Sequence, residues 1–233
     1  MQASLILPRI VIITGAGVSA SANIPTYRTK QNQWCSQPIT NMQTICTKGS
    51  HFAPESIAFY DQFRTLCRKA NPTPFHHWCA DMQSQYGEHR FTIYTQNIDD
   101  LFERSNAIAT HVHGSIEHVR CITCNSVYKF GTLLCANCDQ ILRNDVVFYG
   151  ESGHYERMID DITNLDKNDL FMLIGTSCEA INIDLIMRPI NCIRIYVNPV
   201  IEPAVNIRKY THTLYTTSDN ACDDLTILCQ KYM

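Results

Sequence analysis

Residues 12–20 read Ile12-Ile13-Thr14-Gly15-Ala16-Gly17-Val18-Ser19-Ala20, an aliphatic run that breaks directly into G-x-G-x-x-A. In such a turn the missing side chains let backbone N–H groups approach a pyrophosphate at a helix N-terminus. A plain strand-to-helix turn has the same outline, so the neighbouring sequence must decide. Phe91–Thr95, Leu170–Gly175 and Ile193–Val197 share the character of Ile10–Thr14: each is short, rich in aliphatic or β-branched residues, and followed by small or polar residues. These are the marks of parallel strands covered on both faces, with loops at their carboxyl ends. Asp145–Phe148 and Thr213–Tyr215 are weaker strand candidates. Helical patterning lies between the strands. Ser56–Lys69 puts Ile57, Tyr60, Phe63, Leu66 and Cys67 on one face, and Phe75–Gln85 follows a PTP start. Ile98–Arg104, Tyr155–Leu165 and Asp223–Lys231 are further candidates. Strands alternating with helices predict an α/β doubly wound fold.

The chain of 233 residues suits one large domain, or one domain carrying a small insertion. Its 45% hydrophobic and 18% charged content is ordinary for a globular protein. A net charge of −3 provides no basic field for nucleic acid. No apolar run reaches the roughly 18 residues of a membrane helix. The opening LILPRIVIIT is broken by Pro8 and Arg9 and lacks a signal-peptide layout, so an intracellular, cytoplasmic location is expected.

Twelve cysteines are many for such a chain. Four form two pairs, Cys121-x-x-Cys124 and Cys135-x-x-Cys138, with ten residues between them. That spacing closes a tetrahedral structural zinc site, with Tyr128 and Phe130 as apolar cover on the intervening hairpin. A redox dithiol would need one motif at a helix N-terminus, not two facing each other. The other eight cysteines read as small buried hydrophobes. The segment HVHGSIEHVRCITC (111–124) sets histidines beside this module. Because four thiolates fill the tetrahedron, His111, His113 and His118 are left without a ligand place, and a histidine there needs another role.

The first loop departs from an ordinary dehydrogenase. Pro25 arrives eight residues after Gly17, and no strand ends in a ribose-binding acid about 20 residues on. IPTYRTK follows instead, so a loop carrying Tyr27 and Arg28 is expected to hold part of the cofactor.

GAGVSASANIPTYR, TQNIDDL, HVHGS, the paired Cys-x-x-Cys, VVFYGE, IGTS and a strand ending in VN occur in this order. Together they resemble the sirtuin family of NAD-dependent protein deacylases, over about residues 5 to 230. The resemblance implies a Rossmann-like parallel-sheet large domain (1–30, 71–118 and 141–233). It also implies a small domain made of a helical insertion (31–70) and a four-cysteine zinc module (119–140). NAD and an acyl-lysine peptide would meet in the cleft between. In the implied chemistry the acyl oxygen attacks C1′ of the nicotinamide ribose, nicotinamide leaves, and an alkylimidate forms. A ribose hydroxyl deprotonated by histidine then attacks that imidate, giving free lysine and O-acyl-ADP-ribose.

His113 matches the family's catalytic base, a role that suits a group titrating near working pH. Asn97 and Asp99 join it as catalytic candidates, Asp99 toward the nicotinamide carboxamide and Asn97 toward the ribose and a water. Without the family, Asn97 or Asp99 reads as a helix cap. The other cofactor-binding positions implied are Gly15, Ala16, Gly17, Ala20, Thr26, Tyr27, Arg28, Gln96, Ile98, Gly175, Thr176, Ser177, Asn198 and Ala221. Val147, Phe148, Gly150 and Glu151 resemble the stretch that pairs with substrate peptide as a β-strand, a mode that reads backbone. His111 and the remaining histidines read as structural.

Two departures from the family pattern stand out. Ala22-Asn23 replaces Ser-Gly; asparagine tolerates positive φ next best after glycine, so the turn is expected to survive. Cys178-Glu179-Ala180-Ile181-Asn182 replaces V-x-P-A, so the following helix should start differently. For acyl choice, one branch uses Tyr-x-x-Arg against acidic acyl groups. Here Tyr60 is followed by Phe63 at +3 and Arg64 at +4, adjacent parts of one helix face. Phe63 favours an apolar acyl chain, so deacetylation leads, with desuccinylase or demalonylase activity behind it. Mono-ADP-ribosyl transfer, NAD hydrolysis and a non-enzymatic NAD or ADP-ribose sensor are the competing functions. The expected partners are acyl-lysine proteins, with no nucleic acid or membrane, and the chain is expected to be monomeric.

Overall fold

A computed structural model describes residues 7–26 and 44–233, and the backbone of 33–34 and 37–38. Eleven strands are described: β1 Ile10–Thr14, β2 Gln33–Trp34, β3 Gln37–Pro38, β4 Phe91–Thr95, β5 Ala109–His111, β6 Gly114–Cys121, β7 Val127–Lys129, β8 Leu142–Val146, β9 Leu170–Ile174, β10 Ile193–Val197 and β11 His212–Leu214. Six of them form one sheet in the order β11-β10-β9-β1-β4-β5, and every neighbouring pair is parallel. Read from β5 the order is 3-2-1-4-5-6, that of a Rossmann-like fold.

The four aliphatic runs build this sheet because both of their faces are buried. Ile10, Ile12, Phe91, Ile93, Leu170, Met172, Ile195 and Val197 pack on one side with Phe75, Trp78, Phe102 and Leu225. The alternate residues Val11, Ile13, Tyr94, Phe171, Leu173 and Tyr196 pack on the other with Met158, Ile162, Ile183 and Met187. Two-sided burial explains why no apolar–polar alternation marks these runs. The weaker Thr213–Tyr215 candidate is the edge strand β11, one residue earlier than expected.

A separate small unit holds a three-stranded antiparallel sheet, β7-β6-β8, and the Pro54–Lys69 helix. That helix turns Phe59, Tyr60, Phe63 and Cys67 inward onto Ile98, Ile116, Val146 and Phe148. Two corrections follow. Ile57 is exposed, the buried face being centred on Phe59 and Phe63 instead. Asp145–Phe148 is no part of the parallel sheet: the strand there, Leu142–Val146, pairs with β6. β6 begins at Gly114, so the sheet that contains Cys121 grows straight out of the His113 loop.

Candidate active site

The parallel strands end level. Thr14 is paired with Thr95 and Ile174, and Ile174 with Val197. The loops GAG, QNID, GTS and NP therefore leave the sheet at one edge, where the strand order reverses between β1 and β9. Such a switch point is where open α/β sheets bind ligands. A cleft of about 1160 Å³ opens there, reaching from Gly15, Gly17, Thr176 and Asn198 to Phe148 and Glu151. That exceeds the usual small-molecule pocket of about 300–1,000 Å³.

Gly15 and Gly17 seat one loop on another. A Cβ on Gly17 would lie 2.8 Å from Gly175 Cα and O, and one on Gly15 would lie 2.6 Å from Thr176 Cβ. The Gly17 N–H donates to Gly175 O at 2.9 Å. The turn they open is a 3-10 helix, Ala16–Ala22, ending at Asn23 with φ 61°. Asparagine thus fills the left-handed position expected of it. After GTS, Cys178 also takes positive φ (57°), and the short Ile183–Ile186 helix starts from Asn182, whose side chain accepts the Leu185 N–H.

The QNID loop is a hydrogen-bonded chain. Gln96 Nε2 donates to Thr176 Oγ1 (2.9 Å), Asn97 Nδ2 to Ser19 Oγ (3.0 Å), and Ser19 Oγ to Asp99 Oδ2 (3.0 Å). The Leu101 N–H donates to Asp99 Oδ1 at 3.3 Å, an Asx turn ahead of the Leu101–Arg104 helix, whose N-cap is Asp100 and not Asp99. Burial pushes the Asp99 pKa up to about 6, against the lowering effect of the Leu101 and Ser19 donors. His111 braces this loop from behind: its two ring nitrogens face Asn97 O (2.8 Å) and Glu103 Oε1 (3.0 Å). Burial opposes its charge, but Glu103 and the Asn97 carbonyl outweigh that and raise its pKa.

His113 lines the cleft. Its Nδ1 lies 3.0 Å from Gln96 O, an atom that only accepts, so Nδ1 carries the proton. Nε2 is then the basic nitrogen, and the Tyr155 hydroxyl donates to it at 2.8 Å. Burial lowers the His113 pKa, outweighing the Gln96 carbonyl that raises it, and so leaves the ring neutral and able to accept a proton at neutral pH. The glycine after it is required by packing. Gly114 has φ 79°, and a Cβ there would lie 2.0 Å from Asp145 O on β8.

The zinc reading has its own geometry. The Sγ atoms of Cys121, Cys124, Cys135 and Cys138 all lie within 4.8 Å of one another. Cys121–Cys138 and Cys124–Cys135 are 3.4 Å apart and Cys124–Cys138 3.8 Å. A ZnS₄ tetrahedron with bonds of about 2.3 Å has sulfurs about 3.8 Å apart, so the cluster is compatible with a structural zinc. Among the described residues no histidine joins it. His113 is separated from Cys121 by the length of β6, roughly 20–25 Å at about 3.3 Å per residue.

The cleft brings together most of the expected residues, with Ala16, Ala20, Thr26, Ile98, Ser177, Tyr60, Phe63, Val147 and Gly150 also in its lining. Tyr27 and Arg28 lie outside the described residues. Three expectations need correction. Arg64 is not in the lining; its guanidinium donates to Ile116 O (3.0 Å), Asp61 (2.6 Å) and Asn144 (2.5 Å), and lies 3.4 Å from the Phe130 ring centre. Ala221 sits in the core with its N–H donated to Thr217 and Ser218 carbonyls, and Thr217 and Ser218 line the cleft in its place. The 147–151 stretch is not an open ladder edge. The N–H groups of Val147, Phe148 and Tyr149 are already donated, to His113 O, Glu151 and Cys46 O. Ser19, Tyr155, Thr217 and Ser218 were missed. Ser19 carried a signal, as the polar position inside the glycine turn; Tyr155 carried none, being in a stretch read only as a helix start.

The Sir2 family model matches residues 15–181. The chain belongs to the Sir2 family. The NAD-dependent protein deacylase SIR2rp3 of Trypanosoma brucei brucei is 28% identical over 222 residues, 88% of each chain. An NAD-dependent protein deacylase of Bdellovibrio bacteriovorus is 32% identical over 186 residues, 72% of this chain and 74% of that one. A Sir2 homologue solved as an NAD complex superposes with a TM-score of 0.77 at 26% identity, covering 96% of this sirtuin and 90% of that chain. The parallel sheet, the separate small unit and the four-cysteine cluster found here are those of a sirtuin.

Proposed function

We propose that this sirtuin uses NAD to remove acyl groups, acetyl foremost, from protein lysine side chains, giving nicotinamide, free lysine and O-acyl-ADP-ribose. The observation that carries this reading is His113, held with Nδ1 on Gln96 O and Nε2 on the Tyr155 hydroxyl, in the lining of a cleft that joins the QNID and glycine loops to Phe148–Glu151. NAD, when bound, supplies an electrophilic anomeric carbon with nicotinamide as leaving group. His113 stands ready to take a hydroxyl proton. Asp99 and Asn97 offer a carboxylate and an amide to an uncharged polar ring substituent and to sugar hydroxyls. The zinc cluster, at the far end of β6, has no part in the chemistry. The relatives named as deacylases and the Sir2 homologue bound to NAD support the same activity.

An uncharged acyl group fits the inner end of the cleft. Tyr60, Phe63, Ile24 and Phe148 line it. Arg64 is engaged elsewhere, and Glu151 brings a carboxylate that would repel an acidic acyl group, although His51 (3.1 Å) and Arg143 (3.3 Å) pair with it. Mass spectrometry of acetyl-lysine and succinyl-lysine peptides incubated with protein and NAD tests the reading. Loss of acetyl mass with O-acetyl-ADP-ribose appearing is the expected result. Preference for succinyl overturns the acyl assignment. A peptide gaining ADP-ribose, or NAD consumed with both peptides intact, overturns deacylation in favour of transfer or hydrolysis. NAD binding with no turnover identifies a sensor.

A further inference from the structure

The Tyr155 hydroxyl sits on the Nε2 side of His113, and three features hold it there. Its backbone starts the Glu156–Thr163 helix, with the Ile159 N–H donating to Tyr155 O at 2.8 Å. The preceding residue is tied to the His113 loop, the His154 N–H donating to Val112 O at 2.8 Å, and its ring is hydrogen-bonded with Arg120. The Tyr155 ring folds back over Gly153, where a Cβ would come within 2.2 Å of Tyr155 Cζ. Only a residue without a side chain at 153 leaves that ring its place.

The imidazole has one partner at each nitrogen. Gln96 O accepts from Nδ1–H, and the Tyr155 O–H donates to Nε2, the rings meeting edge to face. Both bonds select the same neutral tautomer. Donation to Nε2 favours the neutral ring, because the hydroxyl can accept from an imidazolium N–H only by turning and giving up that donation. Among the described residues, the other titratable or charged groups near the ring are His154 with Arg120, and, in the same lining, Asp99, Glu151, Glu179 and Glu202.

We propose that Tyr155 is a positioning residue: its hydroxyl holds His113 as the neutral tautomer with Nε2 toward the cleft, and yields that lone pair when the substrate hydroxyl arrives. In that step the substrate O–H bond breaks, an Nε2–H bond forms, and Tyr155 keeps its own proton throughout. This role rests on the deacylase reading for its purpose, but the hydrogen bond exists in the free protein and is measurable without turnover.

The experiment is an NMR titration of the His113 ring nitrogens in wild type, Tyr155→Phe and Gly153→Ala, with the pH profile of kcat/KM alongside. Removing a hydrogen bond of ordinary net strength should raise the His113 pKa by about half a unit to one unit. The acidic limb of the profile should move up by the same amount, with the high-pH plateau retained. Gly153→Ala, which keeps the hydroxyl but displaces the ring, should shift His113 in the same direction. An unchanged His113 pKa in Tyr155→Phe overturns the proposal. If the NMR shift appears in a protein that turns over no acyl peptide, the Tyr155 role stands and the deacylase reading fails.

Discussion

Replacing Asp99 by asparagine separates the energetic signature of the site from its chemistry. In the folded protein Asp99 is buried and its pKa is raised to about 6, while an unfolded chain has about 3.9. Between those values the folded state holds a proton that the unfolded state has released. The stability this contributes is present at low pH and is lost as pH rises through about 6. At about pH 5 the folded group is roughly ten-elevenths protonated and the unfolded one about a tenth. The wild type should therefore lose about 1.4 kcal/mol from this residue between about pH 5 and pH 7.5. The substituted amide cannot titrate, so the stability of wild type relative to Asp99→Asn should fall by that amount over the interval. Urea unfolding at both pH values measures it, and effects common to both proteins, zinc release included, cancel. A relative stability that stays flat, or rises, from pH 5 to 7.5 would refute the claim that Asp99 is charged against its surroundings at neutral pH.

Gly114→Ala should destabilise by about 3 kcal/mol or more, read by thermal melting, because it combines a positive φ with a backbone clash at Asp145. Cys121→Ser should abolish stoichiometric zinc and lower the melting temperature; unchanged metal content would remove the zinc assignment. Arg64→Met should cost about 2 kcal/mol by leaving Ile116 O and Asn144 without their donor, yet leave the ratio of acetyl to succinyl turnover as it was. A changed ratio would restore Arg64 to the acyl site.

The main sheet was legible because four of its strands are short, two-sided aliphatic runs with polar loops at one end, a pattern with few alternatives. The zinc ligands were legible because Cys-x-x-Cys pairs constrain geometry within a few residues. β6 was not: GSIEHVRC mixes glycine, charge and histidine, and only its pairing with β7 and β8 makes it a strand. Arg64 and Ile57 were misplaced for a related reason. One helical turn fixes which residues share a face, but which face turns inward depends on Ile116, Val146 and Phe148, far away in sequence. Tyr155 shows the same limit within the site, since its contact with His113, 42 positions away, leaves no local pattern. Asn23, by contrast, was readable from φ preference alone.

The central claim is that the His113 imidazole, remote from the cysteine cluster, serves as the base in a dinucleotide cleft. His113→Ala tests it most directly, with NAD affinity measured by calorimetry and acetyl-peptide turnover by mass spectrometry on the same preparation. NAD binding within a few-fold of wild type, with turnover reduced by a factor on the order of 10² to 10⁴, is the predicted pair of results. Turnover near the wild-type rate would contradict the account.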